Sequence, residues 1–272
     1  MSTPVLLTAA LVSYAAAWLF QIAEFREGRA SGRPRSLVLA MGAMCLHLVA
    51  LLVFWRTHRT PPLAGFGPAA AFLAFALAAG VLLASRTGER WSAGLLALPL
   101  VIALLATSLV VGAVPAPVDP RLQGPWLVTH VVLVLGGYAS LLLASVAAVM
   151  YLFQFRALKR KEFGNVFRFF PSLESLDRMN GIGLAGGLSA LAVGLLMGWS
   201  LSLTFERGLA LGDADVAFGL LTWAAYAVAL GARRGRDGFG PRQARISVSA
   251  LLVSGLGFIA FRTFGPATEL FL

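Results

Sequence analysis

The residues able to do chemistry in this chain are few: three histidines, His47, His58 and His130, and one cysteine, Cys45. A lone cysteine has no partner for a disulfide, a CxxC redox pair or a thiolate metal site, so thiol chemistry within the chain is out. Imidazole offers more. It is neutral near physiological pH, can enter lipid uncharged, and still presents a ring nitrogen to a metal. His47, in CLHLVALLVFW, and His130, in HVVLVLGGYASL, both lie inside apolar runs; His58, in WRTHRT, falls just beyond the end of the first. Two neutral imidazoles on different helices can ligate an iron from opposite sides of a porphyrin, which is how a helical bundle commonly holds haem. Each could instead be a single polar residue bonded to a backbone or hydroxyl group, and spacing leaves both readings open.

The elements that must carry these rings are membrane spans. Of 272 residues, 58% are hydrophobic and 12% charged, against about 25% charged in a soluble domain. A soluble chain of this length could not hide so much apolar surface. Apolar runs near the ~20 residues that cross a bilayer occur at 4–23, 36–55, 68–85, 93–113, 125–154, 181–205, 215–232 and 246–263. They are continuous rather than alternating, so they predict helices, which satisfy their own backbone in lipid. The expected fold is all-α: a polytopic bundle of eight transmembrane helices forming one domain over 1–272, with no soluble domain and no internal repeat. No basic stretch precedes the first run, which therefore reads as a span rather than a cleaved signal.

Charge sets the expected orientation. Seventeen of the 22 basic residues fall after the first, third, fifth and seventh runs, Arg26, Arg86, Arg156 and Arg233 among them, and only Arg56, Arg59, Arg121, Arg207 and Arg262 on the other side. Short cytoplasmic loops carry such an excess, so both termini are expected outside the cytoplasm, with His47 and His130 in the outer half of the membrane. The net charge of +10 is then a topology determinant and an attraction to anionic lipid, not a nucleic-acid footprint.

No Asp, Glu or Lys stands in the middle of a predicted span, which argues against an ion-coupled transporter. Trp55 and Trp126 at outer ends and Trp91 at an inner end suit interfacial anchoring; Trp199 and Trp223 lie deeper, where packing on neighbouring helices is the first expectation. Small residues at Gly136, Gly137, Gly183, Gly187, Ala190, Gly194 and Gly198 would let helices five and six approach closely. Between those helices Pro171 should break the chain and Ser172 cap a new turn, with Glu174 and Asp177 near its positive end. No nucleophile, metal cluster or phosphate loop accompanies these charges, so no enzyme is expected.

The segments HVVLVLGGYASLLLASVAAVMYL (130–152), PSLESLDRMNGIGLAGGLSALAVGLLMGW (171–199) and GLLTWAAYAVAL (219–230), with CLHLVALLVFW in the second run, resemble the integral-membrane cytochrome c assembly proteins, in particular their small CcsA/HemX-like, YpjD-like branch. The resemblance covers helices two to eight. It implies a non-enzymatic protein of cytochrome c biogenesis in a bacterial inner membrane, with haem b as cofactor. His47 and His130 would be its ligands and Trp126 and Trp199 wall residues. Implied partners are haem, the lipid bilayer, and other maturation proteins or a tetrapyrrole-synthesis enzyme. Full members carry an external WGxxWxWDPKE segment; here SLSLTFERGLALGDADVAF (200–218) keeps Asp213 and Asp215 without the tryptophans. That departure favours the alternative of a HemX-like regulator or scaffold acting through Arg156–Arg178 without binding haem. A small-molecule transporter ranks third, since no inverted repeat with broken helices is recognisable.

Overall fold

A computed structural model describes residues 2–28, 35–63, 65–86, 91–115, 124–162, 164–204, 214–233 and 240–264. Nine α-helices, with a short 3-10 turn at Trp91–Ala93, account for the secondary structure among them: α1 (Thr3–Arg26), α2 (Arg35–His58), α3 (Phe66–Arg86), α4 (Gly94–Val111), α5 (Pro125–Lys159), α6 (Asn165–Phe169), α7 (Leu173–Thr204), α8 (Ala214–Arg233) and α9 (Pro241–Phe264). All except α6 lie in the eight segments long and apolar enough to cross a membrane. Eight spans put the turns alternately at two ends; the end holding the α1–α2, α3–α4, α5–α7 and α8–α9 turns is called the basic end below.

Two helices outrun the hydropathy pattern. α5 has 35 residues, about 52 Å at 1.5 Å per residue, well beyond a hydrocarbon core of about 30 Å. α7 starts at Leu173, eight residues before its apolar run, because polar residues form helix freely once outside the lipid. Its start follows the local chemistry of the sequence: Ser172 accepts the Ser175 amide on its hydroxyl at 3.2 Å, taking up one of the free donors of the first turn.

One core, built on Leu7, Tyr14, Leu77, Leu98, Leu105 and Met150, joins α1–α4 to part of α5. A second, of Leu141, Leu184, Leu191 and Tyr226, joins α5 to α7–α9. α5 is thus the strut shared by both halves. α3 lies between α2 and α5: Ala71 and Phe75 face His47 of α2, whereas Ala69, Phe72 and Leu73 pack with Val131 and Leu135 of α5.

Glycines set the α5–α7 contact, as expected from their spacing. A Cβ on Gly183 would stand 3.0 Å from the Ser140 carbonyl oxygen, and one on Gly187 3.0 Å from that of Gly137. Backbones this close exclude larger side chains. Gly136 is the exception, with nothing within 4 Å of an added Cβ.

The basic end is tied by polar contacts. The Glu24 carboxylate accepts from the backbone N–H and the hydroxyl of Ser36 at the start of α2, where helix N-termini favour negative charge. Ser36 accepts from the Trp91 indole at 3.0 Å, and Gln21 donates to the Trp91 carbonyl at 2.8 Å. Trp91 is therefore buried and bonded rather than an interfacial anchor. Asn165 of α6 donates to the Arg26 carbonyl at the end of α1, and Phe169 and Phe170 pack on Phe25. The segment before α7 is therefore clamped to α1 as it turns the chain.

Candidate functional site

His130 sits in the second turn of α5, about 8 Å along the axis from Pro125, at the end opposite the basic turns. Its Nδ1–H donates to the Gly194 carbonyl of α7 at 2.7 Å. Gly198, one turn further along α7, leaves room for the ring: an added Cβ would lie 2.8 Å from Cε1. Four residues before His130, on the same face of α5, Trp126 donates its indole N–H to the Met197 carbonyl at 3.4 Å. The glycine seam thus does two jobs, bringing the helices together and turning two α7 carbonyls toward two α5 side chains.

A hydrogen-bonded Nδ1–H fixes the tautomer, so the lone pair resides on Nε2. This is the arrangement by which a carbonyl orients a metal-ligating histidine. His130 is half-buried, and no group of the described residues engages its Nε2. Trp126 and Trp199 are 51% and 45% exposed at the same end, so Trp199 does not pack in the bundle interior; Trp223, 38% exposed, does not either. Imidazole and flat apolar indoles are a donor set and surroundings that fit a haem edge.

His47 is placed differently. It lies mid-way along α2 with no exposure, its ring edge-on to Tyr14 of α1 at 6.0 Å and to Phe75 of α3 at 5.6 Å between centroids. The Ala71 main chain faces it, yet neither ring nitrogen completes a hydrogen bond, and the neighbouring Tyr14 hydroxyl is also buried without a partner. The structure does not bring His47 and His130 together: their ring contacts come from α1 and α3 in one case and α7 in the other, and α3 stands between. His58 ends α2, donating its Nδ1–H to Phe54 at 3.1 Å and lying against that ring.

A polar cluster that the span boundaries concealed lies at the basic end. Arg233, last in α8, pairs with Asp177 of α7 and donates to Asn180 at 3.0 Å. Asn180, fully buried, donates in turn to the Ala144 carbonyl of α5 at 2.8 Å and to Ser247 of α9 at 3.3 Å. The Arg233 guanidinium lies over Gly181. The signal was present in LDRMNG, whose Asp, Asn and Gly stand on one side of a helix once α7 is known to start at Leu173. No group of three or more His, Cys, Asp or Glu that could hold a metal ion occurs among the described residues. The 205–213 stretch, where Asp213 and the expected tryptophan-poor segment lie, is outside the described residues, as is most of the α1–α2 turn.

The cytochrome c biogenesis protein CcsA of Guillardia theta is 24% identical over 172 residues, covering 55% of each chain. That of Chlamydomonas reinhardtii is 25% identical over 150 residues, covering 55% of this chain and 41% of its own. The chain spans about half the length of the curated relatives it matches. Residues 35–266, from the start of α2 to two residues past α9, match the family described as Cytochrome C assembly protein, and the chain belongs to that family.

Proposed function

We propose that this protein handles haem during cytochrome c maturation, taking it at the end of the α5–α7 pair opposite the basic turns. His130 would supply an iron ligand through Nε2, and Trp126 and Trp199 would flank the ring. Haem iron bound there would supply the redox-active centre to be passed on; the chain itself binds and orients, and covalent attachment belongs to partner proteins. The observation that carries the reading is the 2.7 Å bond from His130 Nδ1–H to Gly194, which orients the ring and leaves the lone pair on Nε2. The distribution of basic residues supports an orientation with this end outward; a bacterial inner membrane, with other maturation components meeting this end, is the setting that the family resemblance implies.

The test is an oxidised and reduced absorption spectrum of protein purified in detergent from haem-replete cells, beside His130→Ala. Near-stoichiometric haem in the wild type, lost from the variant at unchanged yield, is the expected result. Wild-type protein that is colourless and fails to take up added haem would end this reading. The second reading, a scaffold or regulator of tetrapyrrole synthesis, would then stand on the exposed Lys159, Arg160 and Lys161 where α5 outruns the bilayer.

A further inference from the structure

We infer that the basic end carries a binding site for one anionic phospholipid whose headgroup bears free hydroxyls, of the phosphatidylglycerol kind, in the recess where α5 ends and α7 begins. The inference is independent of how haem is handled at the opposite end. A cavity of about 410 Å³ lies there, lined by Gln154 and Leu158 of α5, Phe167 and Phe170 of the α6 turn, and Ser172 and Leu173 at the start of α7. That volume falls within the about 300–1,000 Å³ of small-molecule sites. The recess has a fixed wall: α6 is bonded to the Arg26 carbonyl through Asn165, and Phe170 packs on Phe25, so the clamp to α1 also holds one side of it.

Depth and polarity both fit a lipid headgroup. Gln154 stands about 44 Å along α5 from Pro125 at 1.5 Å per residue, against about 40–45 Å for a bilayer with its headgroups, so the cavity lies at headgroup level on the basic face. Leu158, Phe167, Phe170 and Leu173 offer an apolar lining to the start of the acyl chains. Gln154 is 3% exposed, and its Oε1 is buried with no donor among the described residues. A buried amide carbonyl left so is costly; the last torsion of a glutamine side chain is broad, so rotation of the amide turns that oxygen to a hydroxyl entering the cavity. Ser172 accepts the Ser175 amide and keeps its own O–H to donate to a phosphate or ester oxygen. Charge completes the match. Of nine charged side chains from Arg156 to Arg178 six are basic, with Lys159, Arg160 and Lys161 exposed directly after Leu158. The acids are Glu162, Glu174 and Asp177, the last already paired with Arg233. A zwitterionic headgroup gains little from such a field, and an anionic one without hydroxyls brings no donor to Gln154, so the two features together select a hydroxylated anionic lipid.

Purified chain stripped of lipid in a neutral detergent, followed by native mass spectrometry and thermal unfolding, tests this with three probes: dioleoyl phosphatidylglycerol, dioleoyl phosphatidylmethanol, which has the same charge without free hydroxyls, and dioleoyl phosphatidylcholine. One phosphatidylglycerol per chain is expected to bind, about tenfold more tightly than phosphatidylmethanol, the upper scale of one hydrogen bond, with phosphatidylcholine weaker still. Gln154→Leu, which fills the same space without an amide, should unfold no lower than wild type in the absence of lipid and bind the two anionic lipids alike. Leu158→Trp, which narrows the cavity and leaves Gln154 in place, should weaken phosphatidylglycerol by a similar factor. Wild-type protein that takes up the two anionic lipids equally would overturn the inference, leaving only a general attraction of the basic surface; equal binding of all three would overturn it as well, as a recess shaped for a partner protein would give. Wild-type preference retained in Gln154→Leu would overturn it too. Should Gln154→Leu fail to fold, unchanged phosphatidylglycerol affinity in Leu158→Trp alone overturns the site.

Discussion

Gly198 and His130 are fitted to one another: the imidazole occupies the place where any other residue at position 198 would put its Cβ, 2.8 Å from Cε1 and 3.4 Å from Nδ1. Gly198→Ala should therefore swing the ring away and break its bond to Gly194, at little cost to the fold because the displaced group is the end of a side chain. We expect haem retention to fall about tenfold, the scale of losing a hydrogen bond that orients a metal-binding histidine, with the melting temperature in detergent nearly unchanged. Parallel haem titration and thermal unfolding check this. Wild-type affinity in Gly198→Ala would show that the ring's present orientation does not matter to binding.

Arg233 should be worth more to stability than its place at a helix end suggests. Removing it leaves Asp177 without its ion pair and Asn180 Oδ1 without its donor. Both side chains of the pair are partly exposed, at 18% and 35%, so the loss is set near that of a charged hydrogen bond, about 2 kcal/mol, rather than a fully buried ion pair. Arg233→Ala measured alone, with Asp177→Ala, and with both changed gives the coupling. Additive single effects would mean that the pair contributes nothing as a pair.

The spans were legible from sequence because lipid imposes a length and a composition that few other structures share, and the helix bounds depart from the apolar runs mainly where α5 and α7 leave the membrane. The glycine seam and the Ser172 cap were legible for the same kind of reason, being local rules. What could not be read was which helix lies beside which. Hydropathy and charge place His47 and His130 in the same half of the membrane, but whether α3 stands between them depends on lateral packing, on which the period of an apolar run is silent. Trp91 shows the same limit: a tryptophan at a span end is an anchor by rule, and only the positions of Gln21 and Ser36 make it a buried hub.

Tyr14 carries a hydroxyl that is buried with no partner, beside the equally unpartnered His47. An unsatisfied hydroxyl costs about 1–3 kcal/mol, so Tyr14→Phe, which keeps the edge contact with His47, should hold or raise stability by about 1 kcal/mol. Thermal unfolding in detergent measures it. A clear loss would instead reveal that a bound water or ligand joins the phenol to the imidazole.

Position decides what a methyl group does in the α5–α7 seam. Ala is the better helix former by about 0.5–1 kcal/mol, and at Gly136, with open space around it, that preference should appear undiminished as a gain in Gly136→Ala. At Gly187 the same methyl would stand 2.7 Å from Leu141 Cγ and 3.0 Å from the Gly137 carbonyl oxygen. A leucine can turn aside, but the carbonyl belongs to the facing backbone and moves only if α5 and α7 separate, loosening the contacts that place Gly194 against His130. Overpacking of this kind costs about 1–3 kcal/mol, more than the propensity returns, so Gly187→Ala should destabilise while Gly136→Ala stabilises. Unfolding of the two variants in the same detergent reads the sign directly, and equal effects at both sites would mean that the helices do not meet along this seam.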